Sequence, residues 1–297
     1  MYDIVGKQKY FSGASAVLFI ASVGVFLLWG LNLGIDFTGG TSMELRFPDT
    51  ASRPAITEMT ATLAELGISN PRLQDAGEAG VVLKMQYISN EQRQSIIDAY
   101  VGVGVAEESF NTIGPSFGAE LKDKAIVALI LVLFAIIGFV SYAFRKISRA
   151  AVPSWVFGVG AILALIHDIV LILGVFIVLG KFFDVQIDAF FVTALLTILG
   201  FSVNDTIVVY DRIREGLKYR DKKSFKQIIN ESINSTIVRS LNTSLTTLLV
   251  LLALYLFGGE SIQYLILALL LGIIFGTYSS IFIASPMLLV GEKLLKK

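Results

Sequence analysis

Gly200-Phe-Ser-Val-Asn-Asp-Thr-Ile-Val-Val-Tyr-Asp-Arg-Ile-Arg-Glu215 starts inside an apolar run and ends in a cluster of charges. Read as one helix, it passes from hydrocarbon into water and leaves Asp205 about two turns short of the boundary. A carboxylate at that depth is costly unless it is paired, protonated or turned toward a wet cavity. Asp205 is therefore a candidate functional group, and its chemistry is that of an ion or proton site.

Composition agrees with a membrane chain. Of 297 residues, 55% are hydrophobic and only 16% charged, too apolar for a soluble protein of this length. There is no cysteine, which excludes disulfides and thiolate metal sites, and one histidine, His167, which excludes any site needing two imidazoles. Net charge is zero, so nothing in bulk electrostatics favours nucleic acid. No Gly-rich loop ending in Lys-Ser or Lys-Thr is present, so ATP hydrolysis is not expected. No cofactor or metal is implied, and work done by this chain would draw on a gradient or a partner.

Working outward from Asp205, charge-poor runs mark six spans: Tyr10–Ile35, Ala125–Phe144, Pro153–Gly180, Ala189–Tyr210, Ser240–Phe257 and Ser261–Val290. The third is interrupted only by His167-Asp168 and the fourth only by Asp205. The first lacks an Ala-x-Ala cleavage pattern and reads as a retained anchor. Lys and Arg crowd the 145–149 and 212–239 links and flank the ends with Lys7, Lys9, Lys293, Lys296 and Lys297. The other two links between spans are nearly free of them. The positive-inside rule then puts both termini in the cytoplasm and exports residues 36–121.

The exported stretch alternates legibly. Thr41–Phe47 has the period of a strand, with Ser42, Glu44 and Arg46 on one face. Pro54–Leu66 has helical spacing and stops at Gly67. Asn70–Gln74 and Val81–Tyr87 flank a Gly77–Gly80 hairpin signal. Asn90–Tyr100 is a helix capped by Asn90, and Val105–Ile113 a last strand. The β-α-β-β-α-β order is ferredoxin-like. The fold class is thus an α-helical polytopic membrane protein with six spans and a ferredoxin-like α+β domain. It divides at 1–35, 36–121 and 122–297. In the 212–239 link, Phe225, Ile228, Ile229, Ile233 and Ile237 fall at helical spacing, which predicts an amphipathic helix along the cytoplasmic surface before span five. A coupling linker with no role of its own fits the same pattern.

Six ordered motifs carry a resemblance. Gly34-Ile-Asp-Phe-Thr-Gly-Gly-Thr41 follows span one, and Gly114-Pro-Ser-Phe-Gly-Ala-Glu-Leu121 precedes span two. His167-Asp168 lies in span three, and Leu195 through Glu215 runs along span four. Arg239-Ser-Leu-Asn-Thr-Ser-Leu-Thr-Thr247 opens span five, and Gly272-Ile-Ile-Phe-Gly-Thr-Tyr-Ser-Ser-Ile-Phe-Ile-Ala284 lies in span six. Across essentially the whole chain these resemble the SecF family, one half of a transporter of the resistance-nodulation-division type. Phe201 and Tyr210 stand where relatives often carry Tyr and Phe. The resemblance implies a non-enzymatic subunit of the bacterial inner membrane, driven by the proton motive force, that promotes late preprotein translocation. Its implied partners are SecD, the SecYEG channel, YajC and YidC. It also implies an essential acid and a basic partner in the membrane, which by motif fall on Asp205 and Arg239.

The residues themselves allow more than one reading. Thr193, Thr197, Gly200 and Asn204 make a small, polar stripe on span four that Asp205 borders. Arg239 starts span five at about the depth where Asp205 leaves span four, and Asn242, Thr243 and Thr246 continue its face. Arg239 could equally be a flanking residue that snorkels to the interface, and Asp205 a carboxylate held by packing hydrogen bonds. Asp168 sits near mid-span; it joins the same relay or anchors a packing network with His167. Gly200-Phe-Ser-Val-Asn204 has the look of an intramembrane protease turn, but His167 lies mid-span while Ser202 is nearer the other end of its own. A His-Asp phosphohydrolase would need further histidines. Gly272, Gly276 and Ser280 form a small-residue packing face, and Gly39-Gly40 a tight turn. A passive assembly subunit and an independent small-molecule exporter remain as alternatives, and a lone carboxylate serves proton or sodium ion alike.

Overall fold

The computed structural model describes residues 2–145, 152–259 and 262–295, without the side chains of residues 219–221. The rest of the basic 145–149 link beyond Arg145, with Glu260, Ser261, Lys296 and Lys297, lies outside the described residues, as does the side chain of Arg220. The chain separates into two compact units.

The smaller unit covers Leu33–Ile126 and Gln186–Ala189. It contains a one-turn helix α2 (Ile35–Thr38), β1 (Gly40–Arg46), α3 (Ile56–Glu65), β2 (Arg72–Ala76), β3 (Gly80–Met85), α4 (Asn90–Tyr100) and β4 (Ala106–Ile113). All strand pairs are antiparallel and the order across the sheet is β2-β3-β1-β4, the ferredoxin-like arrangement. Alternation decides which face is covered. Met43, Leu45, Val81 and Leu83 are fully buried with Met59, Leu63 and Ile96 from the two helices. Ser42, Glu44 and Arg46 take the opposite face, as their spacing requires.

One cap differs from expectation. Ser89, not Asn90, caps α4: its hydroxyl accepts the Gln92 N–H while the Gln92 side chain accepts the Ser89 N–H. Such a reciprocal box satisfies two otherwise orphaned donors, which Asn90 one residue later cannot do. Gly39 and Gly40 have φ of 75° and 148°. A Cβ at Gly39 would fall 2.6 Å from Pro115 Cα, and one at Gly40 2.6 Å from the Met85 carbonyl oxygen, so only glycine fits this turn. The adjoining Gly34 N–H donates to the Ile187 carbonyl at 2.8 Å, and Asp36 accepts the Ala189 N–H at 2.8 Å.

The larger unit holds the membrane-length helices α1 (Gln8–Trp29), α6 (Ser154–Phe183), α7 (Ala189–Gly216) and α8 (Phe225–Phe257), and most of α5 (Pro115–Ala143). The sixth span, Gln263–Leu295, is α9 (Gln263–Ser279), a π turn over Ser280–Ala284, and α10 (Ser285–Leu295). These six apolar helices make the chain a multi-pass membrane protein. The interior is built from α6, α7 and the sixth span, around Phe157, Tyr210, Ile213, Ile281 and Leu288. Much of α1, α5 and α8 faces outward.

The expected surface helix before span five is not a separate element. α8 runs unbroken from Phe225 to Phe257, and Arg212–Gly216 close α7. Phe225, Ile228, Ile229 and Ile233 are buried in the core of the unit and not laid along a surface. Ser224 and Gln227 form the capping box that starts the helix. The same spacing of apolar residues serves a helix packed on protein as well as one lying on a membrane.

Candidate functional site: two buried acids in a hydroxyl network

Helical spacing carries small hydroxyl residues into the interior of the larger unit. On α7, Ile198, Ser202, Asp205 and Val209 share the buried face. On α8 the buried line Ile229, Ile233, Thr236, Ser240, Ser244 changes from aliphatic to hydroxyl as it enters the bilayer-length segment. On the sixth span Gly272, Gly276 and Ser279-Ser280 face inward. The glycines permit close approach. A Cβ at Gly272 would lie 2.3 Å from Ile198 Cδ1, and one at Gly276 2.9 Å from Ser202 Cβ.

Asp205 is 9% exposed and each of its carboxylate oxygens takes one hydroxyl. Ser240 donates to Oδ1 at 2.5 Å and Ser280 to Oδ2 at 2.5 Å. Asp168, on α6, is fully buried. Its Oδ2 accepts from Ser202 at 2.7 Å and from Ser279 at 2.8 Å, and its Oδ1 lies 3.2 Å from His167 Nδ1. Adjacent serines, Ser279 and Ser280, thus serve two different acids. Ser202 stands three residues before Asp205, so α7 also touches both. A further hydroxyl pair, Ser244 and Thr277, meets at 2.5 Å beside them.

The π turn makes this sharing possible. One residue too many in a helical turn releases backbone carbonyls from the usual pattern. Here the Ser280 carbonyl accepts the Ser285 hydroxyl at 2.9 Å, and the Ala284 carbonyl accepts the Tyr210 hydroxyl at 3.0 Å. Tyr210 is fully buried, and Gly160 leaves it room, since a Cβ there would fall 2.6 Å from its Oη.

A serine hydroxyl both donates and accepts. Ser240 and Ser280 can donate to a carboxylate or accept from a carboxylic acid without moving. The arrangement therefore tolerates either protonation state of Asp205, which a fixed cation would not.

Arg239 does not hold Asp205. It is exposed and forms no ion pair among the described residues. The reason is angular: neighbours on a helix point about 100° apart, so a helix that turns Ser240 to the acid turns Arg239 away. The same geometry governs the polar stripe. Asp205 is buried, while Asn204, Gly200, Thr197 and Thr193 are exposed on the next face of α7. Gly200 has nothing within 4 Å of a notional Cβ, so it packs against nothing among the described residues. Asn242, Thr243 and Thr246 are likewise exposed on α8. The Thr197 and Thr246 hydroxyls donate to their own helices, at Thr193 O and Thr243 O. None of these residues reaches either carboxylate.

The protease reading is corrected in one respect and weakened in another. Ser202 is not remote from the His167-Asp168 pair, since it bonds Asp168 directly. A nucleophile needs an imidazole between it and the acid, however, and here the acid lies between serine and histidine. His167 Nε2 is buried with no hydrogen-bond partner among the described residues, and the ring lies between Phe19 and Tyr278 at centroid distances of 6.4 and 6.5 Å. Among the described residues no His, Asp and Glu cluster could hold a metal.

The sequence alone does not single out Ser240 or Ser279, and it offers Ser202 only as a protease serine and Ser280 only as a packing residue. A signal existed: Ser240 and Ser244 stand four residues apart on α8, and Thr277 and Ser280 three apart on the sixth span. A line of hydroxyls on one face of a membrane-length helix finds partners across the bundle.

Comparison with known proteins agrees with the geometry. The family model described as the C-terminal part of the protein export membrane protein SecD/SecF matches residues 95–293, and the SecD/SecF GG motif matches residues 30–47, which include Gly39-Gly40. The protein translocase subunit SecF of Thermobaculum terrenum is 41% identical, over 98% of this chain and 94% of that one. That of Anaerolinea thermophila is 36% identical with the same coverage. The crystal structure of SecDF, a translocon-associated membrane protein from Thermus thermophilus, superposes with a TM-score of 0.85 at 33% identity. It is matched over 97% of this chain and 38% of its own length, so the chain spans well under half of that protein. With the motifs, the six spans and relatives matching from end to end, this chain belongs to the SecD/SecF family of protein-export membrane proteins.

Proposed function

We propose that the chain is one half of a two-part transporter, that it pairs with SecD beside the SecYEG channel, and that proton flow through Asp205 promotes late preprotein translocation and release. One observation carries the reading. Asn204, Arg239 and Asn242 are exposed within or at the ends of membrane helices and have no hydrogen-bond partner among the described residues. Polar groups are not left against lipid tails. A second half that covers the outer faces of α7 and α8 supplies their partners, and we assign that half to SecD on the likeness of this chain to part of SecDF. YajC and YidC are further candidates for the exposed helices.

In this reading Asp205 carries the proton and Arg239 belongs to the other half of the cycle. Rotation of α8 by about one residue, near 100°, exchanges Ser240 for Arg239 at the carboxylate. The hydroxyls hold the carboxylate before the rotation and the guanidinium holds it after, with the proton carried between the two. Asp168 reaches the same acid through Ser279-Ser280 and joins the relay. Each elementary charge crossing the membrane supplies about 2.3 kcal/mol per 100 mV, enough to bias a two-state motion. With both termini cytoplasmic, residues 36–121 lie on the outer face, where the motion acts on the preprotein.

The test is release of a late-stage preprotein in vesicles containing the chain, SecD and the channel under an imposed proton gradient. Asp205→Asn should abolish the gradient-stimulated component while SecD still co-purifies. Wild-type rates in that variant would favour a passive assembly subunit. A stable, active chain without SecD would favour an independent exporter.

A further inference from the structure

At the end of the larger unit where α1 begins and α10 stops lies an open cleft of about 620 Å³. Three membrane helices wall it. Val5 precedes α1 and Gln8 and Lys9 start it, Ser224, the cap, with Phe225 and Lys226 starts α8, and Leu289, Val290 and Lys293 come from α10. Four ammonium groups, Lys9, Lys223, Lys226 and Lys293, line it against one carboxylate, Glu292. Lys223 is taken up by Glu231 at 2.5 Å. Lys9, Lys226 and Lys293 are exposed and form no ion pair or side-chain hydrogen bond among the described residues.

This cluster is unfavourable as it stands. Lys9 and Lys226 sit in the first turns of α1 and α8, where the helix dipole is already positive, and neither first turn contains an acid. Like charges and two helix N-termini converge on one space, and beyond the Glu231 that pairs with Lys223 the only carboxylate in its lining is Glu292. Position narrows the chemistry of what fills it. The walls are the ends of three membrane-length helices and the residues that lead into them, and Lys9, Lys226 and Lys293 mark those ends, at the level of lipid headgroups. Leu289 and Val290 continue the wall in accessible apolar surface, backed by the buried Val5 and Phe225, which suits an acyl chain and not a wholly soluble anion.

We propose that this cleft binds the phosphate of an anionic phospholipid of the surrounding bilayer, held by Lys9, Lys226 and Lys293. The lipid ties the ends of α1, α8 and α10 together, and α8 is the helix that brings Ser240 to Asp205. Basic pockets among membrane helices recognise anionic headgroups by this combination of charge and apolar wall.

The experiment uses the full chain in neutral detergent, titrated with phosphatidylglycerol or phosphatidylcholine and read by native mass spectrometry. Phosphatidylglycerol should be retained on the order of a hundredfold more tightly, about 1 kcal/mol for each of the three lysines. The variant K9Q/K226Q/K293Q should lose the preference, by on the order of a hundredfold if each lysine contributes its usual share. K9R/K226R/K293R should keep it, as should K122Q/K124Q/K181Q, which removes three lysines elsewhere. Should the triple glutamine variant fail to fold, K226Q alone should show a loss of roughly fivefold. Equal retention of the two lipids, or loss in the control variant as large as in the cleft variant, would overturn the site. Displacement of phosphatidylglycerol by an equal concentration of inorganic phosphate would overturn the lipid as its source.

Discussion

Replacing the two serines that hold Asp205 separates a carboxylate kept by hydroxyls from one kept by water or by Arg239. Ser240 and Ser280 each give one hydrogen bond of 2.5 Å, to different oxygens of the same group. A hydrogen bond to a charged group contributes about 1.5–3 kcal/mol and one to a neutral group about 0.5–1.5 kcal/mol. Ser240→Ala or Ser280→Ala should therefore cost about 2 kcal/mol in the natural chain, and about 1 kcal/mol in an Asp205→Asn background. The difference, about 1 kcal/mol per serine, is the coupling energy of a double-mutant cycle. Equilibrium unfolding of the purified chain in mixed micelles reads it directly. A cycle that closes to within about 0.3 kcal/mol for both serines would refute the claim that hydroxyls hold a charged Asp205. Larger coupling for Arg239→Gln than for either serine would do the same.

Other outcomes follow from single contacts. Gly276→Val should cost roughly 1–3 kcal/mol, because its side chain would start 2.9 Å from Ser202 Cβ, whereas Gly200→Ala, with open space around it, should be neutral or stabilising in the same unfolding assay. Ser89→Ala should cost about 1 kcal/mol through its capping box, and Asn90→Ala little, which calorimetry of the two variants would distinguish. Asn230 accepts the N–H groups of Ile4 and Val5 and donates to the Tyr2 carbonyl, so Asn230→Ala should raise amide exchange at residues 4 and 5 while leaving α6 protected. A cysteine within 75–80 should react with an impermeant reagent from outside intact cells and one at 218–223 should not; the reverse pattern would invert the proposed orientation.

How far the sequence can be read depends on what each residue must satisfy. The apolar core of each span was legible because lipid tolerates nothing else, and the sheet because its buried and exposed residues alternate. Helix lengths were not. α5 begins at Pro115, ten residues before its charge-free run, since Glu120, Lys122, Asp123 and Lys124 do not stop a helix that extends beyond the apolar segment. α8 begins at Phe225 for the same reason. Asp205 announced itself by its cost, but its partners did not. A charge seeks charge in a one-dimensional reading, and Arg239 is the nearest by depth. Serines signal only through their spacing, since a hydroxyl in an apolar helix can always bond its own backbone, as that of Thr197 does. Only the phase of the helix says that Ser240 and not Arg239 faces the acid.

The five-residue turn at Ser280–Ala284 also fixes how this span can change length. Its surplus residue sets the phase between everything before it and everything after. Five residues in a π turn advance about as far around the axis as four in an α-helix, so removing one residue from 281–283 would restore a regular helix and leave α10 near its present phase, with Leu288 still inside. What would be lost is the released Ala284 carbonyl that takes the Tyr210 hydroxyl. A further inserted residue, with no second turn to absorb it, would swing α10 by about 100° and carry Leu288 out of the core.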